Sequence, residues 1–154
     1  MQTPAPLDAK AVAALYDTDL YAWANANAQL LRQGNYQQLD VAHLIEEIED
    51  MGKSDQRSLA SHLRNLLMHL LKWQYQPHIR SQSWQLSIIN ARVEIDQLLQ
   101  DSPSLRGKMP QMLELNYPAA RRFASVETLL PIKHFPEVCP YTLENILNQD
   151  WLAE

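Results

Sequence analysis

Apolar residues recur along this chain at spacings of three and four, and runs alternating apolar with polar residues are scarce. The first period lays side chains on one face of an α-helix, whereas a half-buried strand needs period two, so the pattern predicts an all-α protein. Leu20, Trp23, Ala24, Leu30 and Leu31, with Asn27 among them, mark a helix beginning near Asp17 and stopping at Gly34. Asp17 is a good acceptor for the free amides of a first turn, and glycine tolerates the backbone that ends one. Asp8 can cap a short turn ahead of it. A second helix starts after Asp40, with Leu44, Ile45, Ile48 and Met51 as its apolar face. Gly52 predicts a break or kink. Ser54 then caps a third helix through Leu59, Leu63, Leu66, Leu67, Leu70 and Trp73, which Pro77 ends.

A fourth helix is predicted over about residues 84–100, where Ile88, Ala91, Ile95 and Leu98 are joined by Ile89 and Val93 in a broad apolar stripe. Ser102 followed by Pro103 is a start signal, since proline in the first turn sacrifices no hydrogen bond. Pro110 and Pro118 would each remove one further along, which predicts a kink or two shorter segments between residues 105 and 130. The tail, PIKHFPEVCPYTLENILNQDWLAE, reads as a proline-paced strap and a short helix carrying Leu143, Ile146, Leu147 and Trp151. The fold class is therefore all-α, a compact helical bundle of five to six helices.

At 154 residues the chain has the usual size of one domain. The predicted organisation is one all-helical domain, with residues 1–15 as a lead, 16–130 as the bundle and 131–154 as strap and last helix. Apolar residues at 46% and charged residues at 20% are globular values, which argues against disorder. Lys72, His69 and Arg64 interrupt the richest apolar run before it reaches the roughly 18 residues of a membrane span, so no membrane association is expected. The start, MQTPAPLDAKAVAAL, lacks a basic region and sets Asp8 and Lys10 where a signal peptide is apolar. Cys139 is the single cysteine and has no partner for an internal disulfide. Both features point to a cytoplasmic protein.

The runs YDTDLYAWANANAQLLRQG, LIEEIEDMGKSDQRSLASHLRNLLMHLLKWQYQP, LLQDSPSLR and FPEVCPYTLENIL resemble the bacterial family termed domain of unknown function 29. They extend from residue 16 to about 147, and the long second block with its terminal KWQYQP is the most specific. The resemblance implies a compact all-helical domain. It brings no activity, substrate or catalytic residue to carry over.

Charge is segregated along the chain. Residues 1–55 carry nine acids against three bases, 56–110 seven bases against three acids, and 111–154 six acids against three bases. The bland reading is neighbouring helices of opposite sign; the sharper one is a basic surface for an acidic partner. Glu46, Glu47, Glu49 and Asp50 form the densest acidic run, and Glu46 and Asp50 share a helical face. Near a helix end they oppose the macrodipole and call for cations, for which Arg57, Arg64, Lys72 and Arg80 are candidates.

Helical bundles bind metals with inward carboxylates and histidines, which makes Glu47, Asp50, His62 and His69 the candidate ligands. The motif is incomplete, because the sequence holds one histidine-glutamate pair, His43 and Glu46, in reversed order. His62 and His69 lie seven residues apart, about 10.5 Å along a helix axis, too far to share one ion without help from another helix. A structural role for both histidines is the simpler reading. Trp73, Tyr75 and Trp84, interleaved with Lys72, His78 and Arg80, could anchor a partner, stack single-stranded nucleic acid over residues 72–84, or lock a helix-loop-helix corner. The interaction candidates are Trp73, Tyr75, Arg80 and Trp84, with nucleic acid the weaker reading.

Phosphate-loop, dinucleotide, zinc-protease and nucleophile-elbow motifs are absent from the sequence. Cys139 has His134 five residues away as its nearest base, in a proline-rich strap unsuited to a catalytic pair. No catalytic residue and no cofactor are expected. The sequence thus suggests a protein-protein interaction or regulatory module, capable of self-association, rather than an enzyme. A metal-dependent enzyme or sensor at the His/carboxylate cluster is the alternative.

Overall fold

The computed structural model describes residues 7–154; residues 1–6, part of the expected lead, lie outside the described residues. Every regular element among them is helical: α1 (Ala9–Thr18), α2 (Leu20–Arg32), α3 (Val41–Tyr75), α4 (Gln82–Asp101), α5 (Met109–Thr128) and α6 (Leu143–Leu147), linked by short 3-10 turns. The all-α expectation holds. Contacts among the described residues gather in two units that divide within α3, one ending at residue 53 and the other running from 54 to 154.

In the first unit the turn expected after Asp8 is the ten-residue α1, whose first amides Asp8 caps through Ala11 N at 2.8 Å. Asp19, not Asp17, divides α1 from α2. Its own N–H closes α1 onto Leu15 O, and its carboxylate opens α2 by accepting from Ala22 N at 2.9 Å. One aspartate thus ends one helix and begins the next, a local device that apolar spacing does not reveal. Gly34 ends α2 with φ 72°, the left-handed conformation that favours glycine. Asn35 N reaches back to Leu30 O and Gly34 N to Leu31 O, the crossed pair of hydrogen bonds of a Schellman motif. Val12, Trp23 and Leu30 form the buried centre, with Leu15, Tyr16, Ala26, Leu39 and Leu44 packed around them.

The break expected at Gly52 does not occur. α3 runs unbroken from Val41 to Tyr75, and Ser54 is an interior residue, not a cap. An exposed glycine inside a helix costs about 1 kcal/mol relative to alanine, which the flanking helix-forming residues outweigh.

In the second unit Leu59, Leu63, Leu66, Leu67, Leu70 and Leu71 of α3 are fully buried against Ile88, Ala91 and Ile95 of α4 and Met109, Ala120 and Ala124 of α5. Of the kink or two shorter segments expected between residues 105 and 130, the division into two helices does not occur: a 3-10 turn leads into a single α5. Pro110 sits in the first turn, where its missing N–H costs nothing, and Pro118 lies inside the helix. Pro118 and Glu114, whose carbonyl loses its amide partner, are both exposed, so water can serve that oxygen. Buried Tyr117 and Ala120 hold the helix on either side. The strap is tied down by Tyr117 Oη donating to Pro136 O (2.6 Å), Arg121 Nε to Phe135 O (3.0 Å) and Tyr141 Oη to Gln74 Oε1 (2.8 Å). Among the described residues no helix is long and apolar enough to cross a membrane.

Candidate functional site

The N-terminal part of α3 carries the largest departure from the expected pattern. Leu44, Ile45, Ile48 and Met51 were all expected to face inward, yet only Leu44 packs on the first unit's core. Ile45 is 52% exposed, Ile48 66% and Met51 71%, and Val41 joins them at 53%. The cause is angular. α1 meets the strip of α3 that carries His43 and Glu47, through Tyr16, and at about 100° per residue Ile45 and Ile48 lie well round the helix from that strip. Val41, Ile45 and Ile48, spaced four and three apart, therefore form an apolar row on the helix exterior.

Glu46, Glu49 and Asp50 are exposed on the same two turns. Lys53 answers them at 3.8 Å from Glu49 and 3.4 Å from Asp50, exposed pairs of small worth. Three of the cations suggested as partners have other bonds: Arg64 donates to Asn116 Oδ1 (2.7 Å), Lys72 to Glu127 Oε2 and Arg80 to the Trp73 carbonyl (2.8 Å). The acidic surround of the row stays largely uncompensated.

Behind it lies a network that the spacing of residues did not expose. Asp40 Oδ2 accepts from Trp23 Nε1 at 2.9 Å and from His43 Nδ1 at 2.5 Å, while the Asp40 backbone N–H donates to Asn27 Oδ1 at 3.0 Å. The His43 ring stacks on Tyr16, centroids 3.9 Å apart, and Tyr16 Oη donates to Glu47 Oε1 at 2.7 Å. Burial works to raise the Asp40 carboxyl, but the bonds from His43 and Trp23 outweigh it and hold it below the usual carboxylate range. The Tyr16 phenol is pushed up to about 12, first by its bond to Glu47 and then by burial. Both groups titrate further from neutral pH than usual, the Asp40 carboxylate staying charged and the Tyr16 phenol protonated, which suits a locked scaffold better than proton exchange. Asp40 was legible as a helix cap and His43 as a neighbour of Glu46; the Tyr16 contact, 31 residues from Glu47 in the chain, had no local signal.

The candidate metal ligands divide between the two units. Glu47 is engaged by Tyr16 and Asp50 by Lys53 in the first unit. In the second, His62 is half-buried and His69 donates from Nδ1 to the Asn65 carbonyl of its own helix at 2.9 Å. Burial pushes His69 below its ordinary value, with the Asn65 carbonyl acting in the other direction. Among the described residues no three His, Cys, Asp or Glu side chains converge to hold an ion.

The aromatic corner is occupied by its own chain. The Arg80 guanidinium lies 4.9 Å over the Trp73 ring, Lys72 Nζ stands 4.7 Å over Trp84, and Tyr75 packs edge-on against Phe135 at 5.2 Å. Such cation and edge contacts are the bonds of a locked helix-loop-helix corner.

A recess of about 460 Å³ lies between α5 and the strap, lined by Leu113, Tyr117, Pro118, Val138 and Cys139 with Glu114 and Glu137 at its polar edge. Its two tyrosine hydroxyls are spent on Pro136 and Gln74, and burial pushes the Cys139 thiol up, away from the reactive thiolate. Compared with known proteins, the chain matches the family model described as Domain of unknown function DUF29 over residues 15–152, and it belongs to that family. No curated protein and no solved structure matches it.

Proposed function

With that family membership as the premise, we propose that the protein is a protein-protein interaction module whose docking surface is the outer face of α3 at Val41, Ile45, Ile48 and Met51. The observation that carries this reading is their exposure as a spaced apolar row beside the exposed carboxylates of Glu46, Glu49 and Asp50; Leu86, Ile89 and Val93 of α4, the last two of them expected to face inward, are exposed at the same spacing. The surrounding Glu46, Glu49 and Asp50 select the partner. An amphipathic helix with lysines or arginines beside its apolar face would bury the row and meet the carboxylates. A second copy using the same face would set these carboxylates against one another, which disfavours symmetric pairing.

The test titrates a designed basic amphipathic helical peptide into the protein by fluorescence anisotropy, with sedimentation of the protein alone alongside. Saturable binding is expected, weakened about tenfold or more by Ile48→Asp, because an anchor side chain of this size contributes about 1.5–3 kcal/mol when buried. The reading is wrong if the peptide does not saturate, or if Ile48→Asp dissolves a homo-oligomer instead.

A further inference from the structure

We infer that the recess around Arg92 binds a small oxyanion, with a phosphate group as its fit. Arg92 lies on α4, is only 2% exposed, and is among the largest side chains buried in the second unit. Its Nε donates to the Ile146 carbonyl at 2.8 Å and its Nη2 to that of Asn145 at 3.3 Å. These carbonyls, at the end of α6, clamp the guanidinium but bring no full negative charge. Among the described residues no carboxylate stands within ion-pair distance of Arg92, and nothing accepts from Nη1. Nη1 is not sealed from solvent, so an ion entering from outside can reach it, and a cation this largely buried gains from such a partner. Burial already pushes this guanidinium below its ordinary range.

The space beside it supplies what such a ligand needs. Arg92 lines a recess of about 140 Å³ together with Asp96, Leu99, Arg106, Leu147 and Gln149. That is well under the roughly 300 Å³ at which sites for drug-sized molecules begin, so it admits one small ion or the end group of something larger. Arg92 comes from α4, Arg106 from the 3-10 turn before α5, and Gln149 from the segment after α6. Donors arriving from three elements suit a tetrahedral oxyanion better than a planar carboxylate, which one arginine fork can hold alone. Asp96 is the opposing charge. Its Oδ2 accepts from Gln100 Nε2 at 2.7 Å, and two arginines against one aspartate leave the recess with one net positive charge.

The experiment is calorimetric titration of the full chain, in chloride buffer, with inorganic phosphate and separately with methyl phosphate. Saturable one-to-one binding is expected. Equal affinities identify the free ion as sufficient, and tighter methyl phosphate identifies the end group of a phosphomonoester; either supports the site. Arg106 and Asp96 are exposed, so Arg106→Gln and Asp96→Asn test it without touching the buried clamp. Losing a charge-assisted hydrogen bond in Arg106→Gln should weaken phosphate about tenfold. Removing the repelling charge in Asp96→Asn should tighten it about fivefold. Arg92→Lys, which keeps the charge but loses the fork, should also weaken it while helical circular dichroism is unchanged. Absence of saturable binding, or affinity indifferent to both exposed substitutions, would show that Arg92 is a structural clamp alone.

Discussion

One helix carries two apolar rows with opposite fates. Over residues 41–51 of α3, Val41, Ile45, Ile48 and Met51 are more than half exposed, whereas over residues 59–71 six leucines at similar spacing are fully buried. Both stretches satisfy the same helical period, and their apolarity is comparable residue for residue. What separates them is the amount of structure available to cover each. Among the described residues the buried apolar centre of the first unit is Val12, Trp23 and Leu30, while that of the second holds twenty-one residues drawn from α3, α4, α5, α6 and the strap. Periodicity therefore reports that a helix has an apolar face; the neighbours decide whether that face is buried or left exposed.

The sharpest way to strain this contrast is to cut back each row. Leu66→Ala removes buried methyl groups from a site walled by α4 and α5, and should destabilise the second unit by about 2–5 kcal/mol in chemical denaturation. A smaller loss in the same unit tests its buried cation. Lys72 has a side chain 8% exposed, paired with a Glu127 that is 49% exposed, and lies over Trp84. Glu127→Ala strands the ammonium and should cost about 2–3 kcal/mol, whereas Lys72→Met removes the charge with it and should be close to neutral. Equal losses from the two would mean that the pair itself, not burial of an unpaired charge, sets the energy.

The difference between the rows also explains what could be read before the structure was known. The all-α class, the C-terminal end of α2, the extent of α4 and the short α6 follow from apolar spacing, Gly34 and the prolines, because those signals act within one or two turns. The break read at Gly52 and the division read at Pro118 failed for the opposite reason. Each residue weakens a helix by an amount that packing along a 35-residue α3 and a 20-residue α5 overrides. The candidate site was half legible. The acidic run and the aromatic corner were plain, but the outward turn of Ile45 and Ile48 depends on where α1 lies. Arg92 gave no signal, since nothing about an arginine inside a helix announces that it meets the carbonyls of Asn145 and Ile146 more than fifty residues away.

With so small an apolar centre, the first unit leans on its polar bonds, and acid should loosen it. The Asp40 carboxyl is lower in the folded chain than in the unfolded one, so the unfolded state binds the extra proton as pH falls. Its contribution is complete above the ordinary aspartate value of about 3.9 and is lost below it, as pH passes through the lower folded value. The indole N–H of Trp23, bonded to Asp40, is the reporter: its nuclear magnetic resonance signal should shift in that acid window, and Asp40→Asn should remove the transition.

The smallest expected effect bears most directly on the comparison. Ile48→Ala deletes as much apolar side chain as many core truncations, yet at 66% exposure it leaves behind no cavity. Its unfolding free energy should stay within about 0.5 kcal/mol of the parent, as for exposed positions generally. A loss approaching that of Leu66→Ala would mean that the row is covered in solution and belongs to a core. A negligible loss means that the side chain does nothing for folding of the isolated chain, as the proposed docking surface requires.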